Sequence, residues 1–231
     1  MTYVMSDLHG MYDRFIAMLE KIDFSDSDEL FIIGDIIDRG ERPVDILEYV
    51  MDKPNITVLL GNHEVMARDL LSRLTTEITE ENINSVDDDF LIELSIYKRN
   101  GGATTMKQLR ALPPIKRKEI IDFIDSLYAY EAIDIGDKTF VLVHAGLGNF
   151  RKDKKISEYS LYELLELRPD YERQYFDDDS VYIVSGHTPT KLISGKWEIY
   201  HSHNNIVIDC GAAFGGRLAC LRLEDMAEFY V

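Results

Sequence analysis

Short apolar runs that end in polar residues recur along the chain and predict a sheet with functional groups at its strand ends. In the central run, residues 31–40, apolar residues lead to Gly34 and Asp35 and then, after two isoleucines, to Asp38 and Arg39. A strand buried on both faces has such a continuous apolar pattern, and open α/β sheets bind ligands at the carboxyl ends of their strands. We therefore expect Asp35 to lie at the end of a buried strand, within a ligand site.

Two segments with the same layout flank this run. A strand predicted at 3–5 leads to Asp7 and His9, and a strand predicted at 56–60 leads to Asn62. The stretches between them predict helices, one through Phe15, Met18, Leu19 and Ile22 and one over 43–51, which begins at a proline. Alternating strands and helices indicate β-α-β units with right-handed crossovers, and therefore a sheet that begins largely parallel.

Residues 65–135 have a different character, because helical periodicity dominates there. Acidic stretches occur at 77–81 and 87–89, and glycines interrupt the pattern at 100–102. We interpret this region as a helical insertion that packs beside the sheet and partly over the site, within a single domain of residues 1–231. The aspartates at 87–89 are expected to form a solvated loop or a helix start, and Asn100-Gly101-Gly102 either a flexible rim of the pocket or a helix stop.

From Ala132 onward the chain returns to strand character. Strands are predicted at 139–143, 181–184 and 206–208, and they lead to His144, His187 and Asp209. A last strand is expected at 217–223, antiparallel to its neighbour. An amphipathic helix is expected at 156–167, ending near Arg168. The whole pattern is typical of an α/β fold.

Composition excludes several classes of protein. At 231 residues with 45% hydrophobic and 29% charged residues, the chain suits a folded globular protein. No apolar run approaches the roughly 20 residues of a membrane span. The two cysteines are expected to be reduced core thiols, which favours the cytoplasm. A formal net charge of −17 argues against binding of nucleic acid or anionic membranes, and an anionic substrate would need local cations.

Four of the six histidines, His9, His63, His144 and His187, directly follow apolar strands. Mixed nitrogen and oxygen ligands suit Mn, Fe, Zn or Ni. We assign one ion to Asp7, His9 and Asp35, and a second ion to Asp35, Asn62, His144 and His187. A shared carboxylate would hold two ions roughly 3.5–4 Å apart, where they ionise a bridging water and grip one phosphate.

The remaining polar residues of these motifs suggest catalytic and binding roles. His63 is predicted to be the general acid that protonates the leaving oxygen, with Asp38 orienting its other ring nitrogen. Arg39 and Arg168 are candidates for bidentate binding of phosphate oxygens, although an arginine at a helix end is more often a surface charge. His201 and His203 are expected to lie in a surface turn.

Five motifs occur in a fixed order along the chain: Ser-Asp-Leu-His-Gly at 6–10, Gly-Asp-Ile-Ile-Asp-Arg-Gly at 34–40, Gly-Asn-His-Glu at 61–64, His-Ala-Gly at 144–146 and Gly-His-Thr-Pro at 186–189. Together they resemble the calcineurin-like metallophosphoesterases. The second motif is similar to that of the serine/threonine protein phosphatase branch, in its short bacterial and phage form. The tail at 208–218 resembles the same branch, so the likeness covers nearly the whole chain.

The resemblance implies an α/β/β/α sandwich with two divalent or mixed-valence metal ions, Mn first, with Fe or Zn as alternatives. It implies attack on phosphorus by a hydroxide that bridges the ions, without a phosphoenzyme. The family's ligands, acid pair and phosphate arginines fall on the residues already named. Two departures matter. Glu166 stands where many relatives carry tryptophan, which weakens the assignment of Arg168. Gly-His-Thr-Pro lacks the second histidine of the nuclease and phosphodiesterase branches, which argues against them.

The leading functional hypothesis is a metal-dependent phosphatase acting on phosphoserine or phosphothreonine in proteins. The alternative enzyme is a symmetrical bis(5′-nucleosyl)-tetraphosphatase, which would need a pocket for adenosine. Two non-enzymatic hypotheses are a binding module on the same fold and a metal site that only stabilises the fold. Retention of every ligand and of His63 disfavours the binding module, and the oxygen-rich ligand set disfavours a closed structural site. The sequence indicates no oligomeric state.

Overall fold

The computed structural model describes residues 1–75 and 87–231, so the acidic stretch predicted at 77–81 lies outside the described residues. The described strands are β1 Thr2–Met5, β2 Glu29–Ile32, β3 Ile56–Val58, β4 Tyr130–Ile135, β5 Lys138–Val143, β6 Val181–Ser185, β7 Tyr200–Ser202, β8 Asn205–Val207, β9 Ala219–Arg222 and β10 Ala227–Tyr230. The described helices are α1 Tyr12–Lys21, α2 Pro43–Met51, α3 Asn62–Thr75, α4 Asp88–Tyr97, α5 Ala103–Ala111, α6 Pro114–Asp125, α7 Leu161–Leu165 and α8 Thr190–Ser194.

Over these ranges the strands form two five-stranded sheets, in the orders β10-β9-β1-β2-β3 and β4-β5-β6-β8-β7. β1, β2 and β3 are mutually parallel, which confirms the predicted parallel beginning. β9 pairs antiparallel with β1, as expected for the last predicted strand. The sequence pattern missed β10, which continues the chain as a hairpin on β9.

Side chains alternate between the two faces of each strand, and this alternation places the buried residues in separate layers of the core. On β1, Tyr3 and Met5 pack among the helices, whereas Val4 faces the second sheet. On β5, Leu142 packs between the sheets, whereas Val143 packs on the far side. Successive strand residues point to opposite faces, so each sheet buries one face against the other sheet and one against helices or loops. The predicted α/β/β/α sandwich is therefore confirmed.

Two predicted elements differ from the structure. The helix expected at 156–167 is broken into a 3₁₀ turn at Ile156–Glu158 and the short α7. Ser160 causes the break, because its hydroxyl accepts a hydrogen bond from the backbone N–H of Glu163 at 3.3 Å and so starts a new helix. His201 lies on β7 and not in a turn, although it is exposed as expected.

Helices α3 to α6 occupy much of the region interpreted as a helical insertion, and their buried residues pack in one cluster with those of the first sheet. The helical character does not extend to residue 135, because β4 occupies Tyr130–Ile135. Asp87 caps α4 by accepting from the backbone N–H of Phe90 at 2.9 Å, which confirms the expected helix start. Asn100-Gly101-Gly102 interrupts the helix, in agreement with the expected helix stop: Gly101 is non-helical, with φ of 105°, and the chain kinks there in the turn Lys98–Gly102 between α4 and α5.

Two further expectations concern the chain as a whole. Cys210 and Cys220 are both buried and unpaired, as predicted. Among the helices of residues 1–75 and 87–231, none has the length and apolar character needed to cross a membrane.

Leu142→Ala is expected to lower the free energy of unfolding by about 2–5 kcal/mol, because this side chain is fully buried between the sheets. Urea denaturation measures the change. The matched control is Leu161→Ala, at a leucine that is 45% exposed, with an expected effect below about 0.5 kcal/mol. Equal losses in the two variants would contradict the position of Leu142 between the layers.

Candidate metal centre

Polar residues from both sheets meet at the carboxyl ends of their parallel strands. Asp7 lies two residues beyond β1, and Asp35 lies three residues beyond β2. His144 directly follows β5, and His187 lies two residues beyond β6. Asn62 is the first residue of α3. The structure thus brings together side chains that are up to 180 residues apart in sequence, at the sheet edge where the sequence pattern expected them.

Asp35 lies at the centre of this group. Its Oδ2 is 3.5 Å from Nε2 of His9, and its Oδ1 is 3.5 Å from Nε2 of His144. Asp7 joins from the side, with Oδ1 3.9 Å from His9 Nε2. Potential ligand atoms fall into two sets that each lie within 4.8 Å: His9, Asp35 and His63, and Asp35, His144 and His187. Asp35 is common to both sets, which is the position predicted for a bridging carboxylate.

Three histidines have one ring nitrogen anchored to a backbone carbonyl. His9 Nδ1 bonds to Ile37 O at 2.9 Å, His144 Nδ1 bonds to Ile33 O at 2.8 Å, and His187 Nε2 bonds to Glu166 O at 3.2 Å. A carbonyl only accepts, so each of these nitrogens carries the proton and the opposite nitrogen faces the acidic cluster. Histidines that bind metal are oriented in this way.

The pair formed by His187 and Asn62 tests whether a cation fits. Burial, with His144 nearby, lowers the pKa of His187 to about 4, so its ring is neutral at pH 7. The proton of that ring lies on Nε2, so the Nδ1 lone pair faces Asn62 Oδ1 at 3.0 Å. Two facing lone pairs repel unless a cation lies between them. The donor set therefore fits a divalent metal of the Mn, Fe or Zn type.

Electrostatic coupling is strong inside the cluster. Burial opposes the charge of Asp35, but His144 and His63 outweigh burial and hold the pKa of Asp35 well below its usual range. Burial likewise opposes protonation of His144, and the Asp35 carboxylate outweighs it and raises the pKa of His144 to about 10. The Asp35 carboxylate thus favours a proton on His144, and a metal ion bound at this place would replace that proton.

His63 has a different partner from the other histidines. Its Nδ1 bonds to Asp38 Oδ2 at 2.7 Å, and both side chains are buried. Burial disfavours the imidazolium, but Asp35 and Asp38 outweigh burial and raise the pKa of His63. Arg39 donates to Nε2 of His63 at 2.9 Å and also to Nε2 of His9. The predicted pair of His63 and Asp38 is thus in contact, with one predicted phosphate arginine beside it.

The backbone around the cluster is strained. Six site residues have left-handed φ values between 42° and 71°: Asp7, His9, Asp35, Asp38, Arg39 and His187. For residues other than glycine, such conformations cost on the order of 1–3 kcal/mol each and cluster at functional sites. Gly61 permits the close approach of two loops, because a Cβ there would collide with Asp35 Oδ1.

Sequence reasoning missed two buried carboxylates that support these loops. Glu64 accepts from the backbone N–H groups of Asp35, Ile36 and Gly61 at 2.8, 3.0 and 3.0 Å. Burial, with Asp35 nearby, raises the pKa of Glu64 to about 7. Asp209 is also buried, and burial together with Asp7 raises its pKa well above the usual range. Their positions in the sequence could have identified them, because Glu64 directly follows His63 and Asp209 follows the strand β8.

Beside the cluster lies a cavity of about 440 Å³. Asp35, Asn62, His63 and His187 of the cluster line it, and so do Arg39 and Arg168. The remaining lining residues are Asn100, Pro189, Lys191, Leu192, Trp197 and Phe214. Of the two remaining histidines, His201 bonds to Glu228 at 2.8 Å and, like His203, does not line this cavity. The sequence pattern did not predict the apolar and aromatic residues of this lining, which stand in segments between strands.

Comparison with known proteins places the chain among phosphoesterases. The family model described as calcineurin-like phosphoesterase matches residues 2–220. The asymmetrical bis(5′-nucleosyl)-tetraphosphatase PrpE of Geobacillus thermodenitrificans is 27% identical over 258 aligned positions, which cover 99% of this chain and 92% of the relative.

Solved structures share the fold at lower identity. A candidate diadenosine tetraphosphatase superposes with a TM-score of 0.67 at 15% identity, covering 100% of this chain and 92% of the other. A protein serine/threonine phosphatase from Saccharomyces cerevisiae superposes with a TM-score of 0.58 at 14% identity, covering 100% and 78%. The motifs, the sandwich of two sheets and the match over residues 2–220 lead to one conclusion: the chain belongs to the calcineurin-like phosphoesterase family.

Proposed function

We propose that this protein is a metal-dependent hydrolase of dinucleoside polyphosphates that cleaves them asymmetrically, into a nucleoside monophosphate and the complementary polyphosphate. The observation that carries the proposal is the cavity, whose lining combines candidate metal ligands with cationic side chains and with apolar and aromatic side chains. The relative from Geobacillus thermodenitrificans, an asymmetrical bis(5′-nucleosyl)-tetraphosphatase that matches along almost the whole chain, supports the same substrate class. Asymmetrical cleavage differs from the symmetrical alternative that the sequence suggested.

The cavity meets the two requirements of a nucleotide. Arg39, Arg168 and Lys191 offer positive charge to a polyphosphate, which the net charge of −17 would otherwise repel. Phe214 and Leu192 are 54% and 68% exposed, so their apolar surfaces are accessible to a base. Aromatic side chains bind bases of any sequence by stacking. A phosphorylated serine or threonine side chain has no group that would stack on Phe214 or pack against Leu192.

Two metal ions would be held by the residues around Asp35. Asp7, His9 and Asp35 would hold one ion, and Asp35, Asn62, His144 and His187 would hold the other. When bound, such ions lower the pKa of water and neutralise phosphate charge. The neutral carbonyl of Asn62 adds no negative charge, so the loaded site stays attractive to a phosphate.

His63 is proposed to complete the reaction as general acid. A water oxygen forms a bond to phosphorus and its proton leaves to solvent, while the bond from phosphorus to the leaving oxygen breaks. The electron pair of that bond passes to the leaving oxygen, which takes the proton of His63 Nε2. In this structure Arg39 donates to that Nε2, so Arg39 must turn toward the phosphate oxygens for the nitrogen to carry a proton. Phe214, 4.8 Å from the Arg39 guanidinium carbon, supports the arginine through its ring face.

The predicted action on phosphoserine and phosphothreonine in proteins stays a prediction. The yeast serine/threonine phosphatase shares the fold at 14% identity, which carries no substrate information. The chemistry at phosphorus would be the same for both substrates, so the substrates must be compared directly.

With Mn²⁺ bound, the protein is expected to convert diadenosine tetraphosphate and water into one AMP and one ATP. Chromatography of the nucleotides at early times measures the products. Two ADP would indicate symmetrical cleavage and contradict the asymmetrical part of the proposal. Faster release of phosphate from a phosphoserine peptide than of AMP from the dinucleotide would favour the protein phosphatase.

His63→Asn is expected to lower kcat by about 10²–10⁴-fold, because general acid catalysis contributes on that scale. Metal stoichiometry, measured by calorimetry with Mn²⁺, should remain two ions per chain. His63 also lies near His9 and Asp35, so the loss of one ion would identify it as a ligand and contradict its role as acid. His201→Asn, at a histidine bonded to Glu228 on the surface, is the matched control and should leave kcat unchanged.

Phe214→Ala is expected to raise KM for the dinucleotide by roughly 5- to 150-fold, the equivalent of about 1–3 kcal/mol for one stacked base. KM for methyl phosphate, which has no base, should change much less. An equal rise for both substrates would show that Phe214 acts only through Arg39. Tyr162→Ala removes an aromatic ring that is 57% exposed on α7 and does not line the cavity, so it serves as control.

A further inference from the structure

We propose that Tyr97 and Thr105 are positioning residues for the general acid, and that the helical insertion thereby completes the catalytic machinery. The proposal rests on the function proposed above, because it assigns a role to residues that hold His63 through Asp38. Neither residue belongs to the five motifs, and neither lines the cavity.

The two carboxylate oxygens of Asp38 bind different partners. Oδ2 accepts from His63 Nδ1 at 2.7 Å. Oδ1 accepts from the Tyr97 hydroxyl at 2.7 Å and from the Thr105 hydroxyl at 2.6 Å. The backbone N–H of Asp38 also donates to Thr105 Oγ1, at 3.0 Å. The carboxylate is therefore fixed in rotation, with one oxygen left for the histidine.

Burial makes these hydroxyls necessary for the carboxylate. Asp38, Tyr97 and Thr105 are each fully buried. A buried carboxylate is costly unless hydrogen bonds compensate its charge, and bonds to charged groups are stronger than neutral ones. Asp38 also lies in a left-handed backbone conformation, with φ of 71°, so its side chain needs support from outside its own loop.

The turn at Lys98–Gly102 adapts the insertion to this role. A Cβ on Gly102 would collide with the Tyr97 ring, so only glycine leaves room for the tyrosine. The carbonyl of Gly101 accepts from the backbone N–H of Arg39 at 3.1 Å. Gly101 itself has φ of 105°, which other residues rarely adopt. The same turn therefore packs against the residue that follows Asp38 and seats the tyrosine that binds Asp38.

Positioning of an acid has a specific kinetic signature. Proton donation matters when the leaving oxygen is strongly basic and matters little when the leaving group is stable as an anion. Loss of the Tyr97 hydroxyl should therefore slow hydrolysis of an alkyl phosphate while sparing hydrolysis of p-nitrophenyl phosphate. A general loss of structure or of metal would slow both reactions.

The experiment compares Tyr97→Phe with the unaltered protein, both loaded with Mn²⁺, on methyl phosphate and p-nitrophenyl phosphate. For Tyr97→Phe we expect kcat on methyl phosphate to fall by about tenfold or more, and kcat on p-nitrophenyl phosphate to stay within about twofold, with both KM values unchanged. Thr105→Val should act in the same direction, and Thr105→Ser, which keeps the hydroxyl, should restore the rate. Equal effects on the two substrates, or no effect on either, would overturn the proposal.

Two controls separate this proposal from the proposed function. Tyr159→Phe removes a buried hydroxyl that has no hydrogen-bond partner among the described residues, and it should change neither rate. In the Zn²⁺-loaded protein, the proton on His63 Nδ1 is followed by NMR, and Tyr97→Phe should shift its resonance. If the unaltered protein hydrolyses no phosphate ester, the proposed function fails. The NMR measurement does not depend on activity: an unshifted His63 resonance in Tyr97→Phe would show that Tyr97 does not position the pair of His63 and Asp38.

Discussion

The structure depends on burying several carboxylates side by side. Asp7, Asp35, Glu64 and Asp209 are each almost completely buried near the ends of the parallel strands. Negative charges so close in a poorly polarisable interior destabilise the fold unless positive charge or N–H groups compensate them. Here backbone N–H groups donate to Glu64, and His144 and His63 hold the pKa of Asp35 low although burial opposes its charge. Two divalent cations would compensate the charge more fully, so folding and metal binding favour each other.

The same crowding explains the strained loops. Asp7, Asp35 and His187 can converge only if the chain turns sharply after each strand, and each adopts a left-handed backbone conformation to do so. The packed core between the sheets stabilises the strands that carry these loops. Hydrogen bonds to Glu64 hold the loop of Asp35 against the loop of Gly61. Because the ligands are already held in place without metal, ordering them reduces the free energy of metal binding less than it would in a flexible site.

Sequence patterns predicted the strand ends well because burial on both faces leaves a continuous apolar run that stops where the strand meets the site. They predicted less where local chemistry competes with periodicity. The helix expected at 156–167 fails because Ser160 caps a new helix within an apolar pattern that continues. Tyr97 and Thr105 carried no signal at all, because their contacts with Asp38 span 59 and 67 residues and depend on how the insertion packs.

The sequence motifs therefore indicate the chemistry of the site better than they indicate its substrate. Strand ends supply most of the proposed metal ligands, whereas the apolar residues that would meet a base lie on α8, beside it and in the 3₁₀ turn Ala212–Phe214, whose positions depend on packing. The insertion links the two, since Asn100 lines the cavity and Tyr97, one helical turn earlier, binds Asp38. A change in this segment that reshapes the cavity would therefore also disturb the support of Asp38. Under the proposed function, substrate choice and acid catalysis would thus be coupled through the fold.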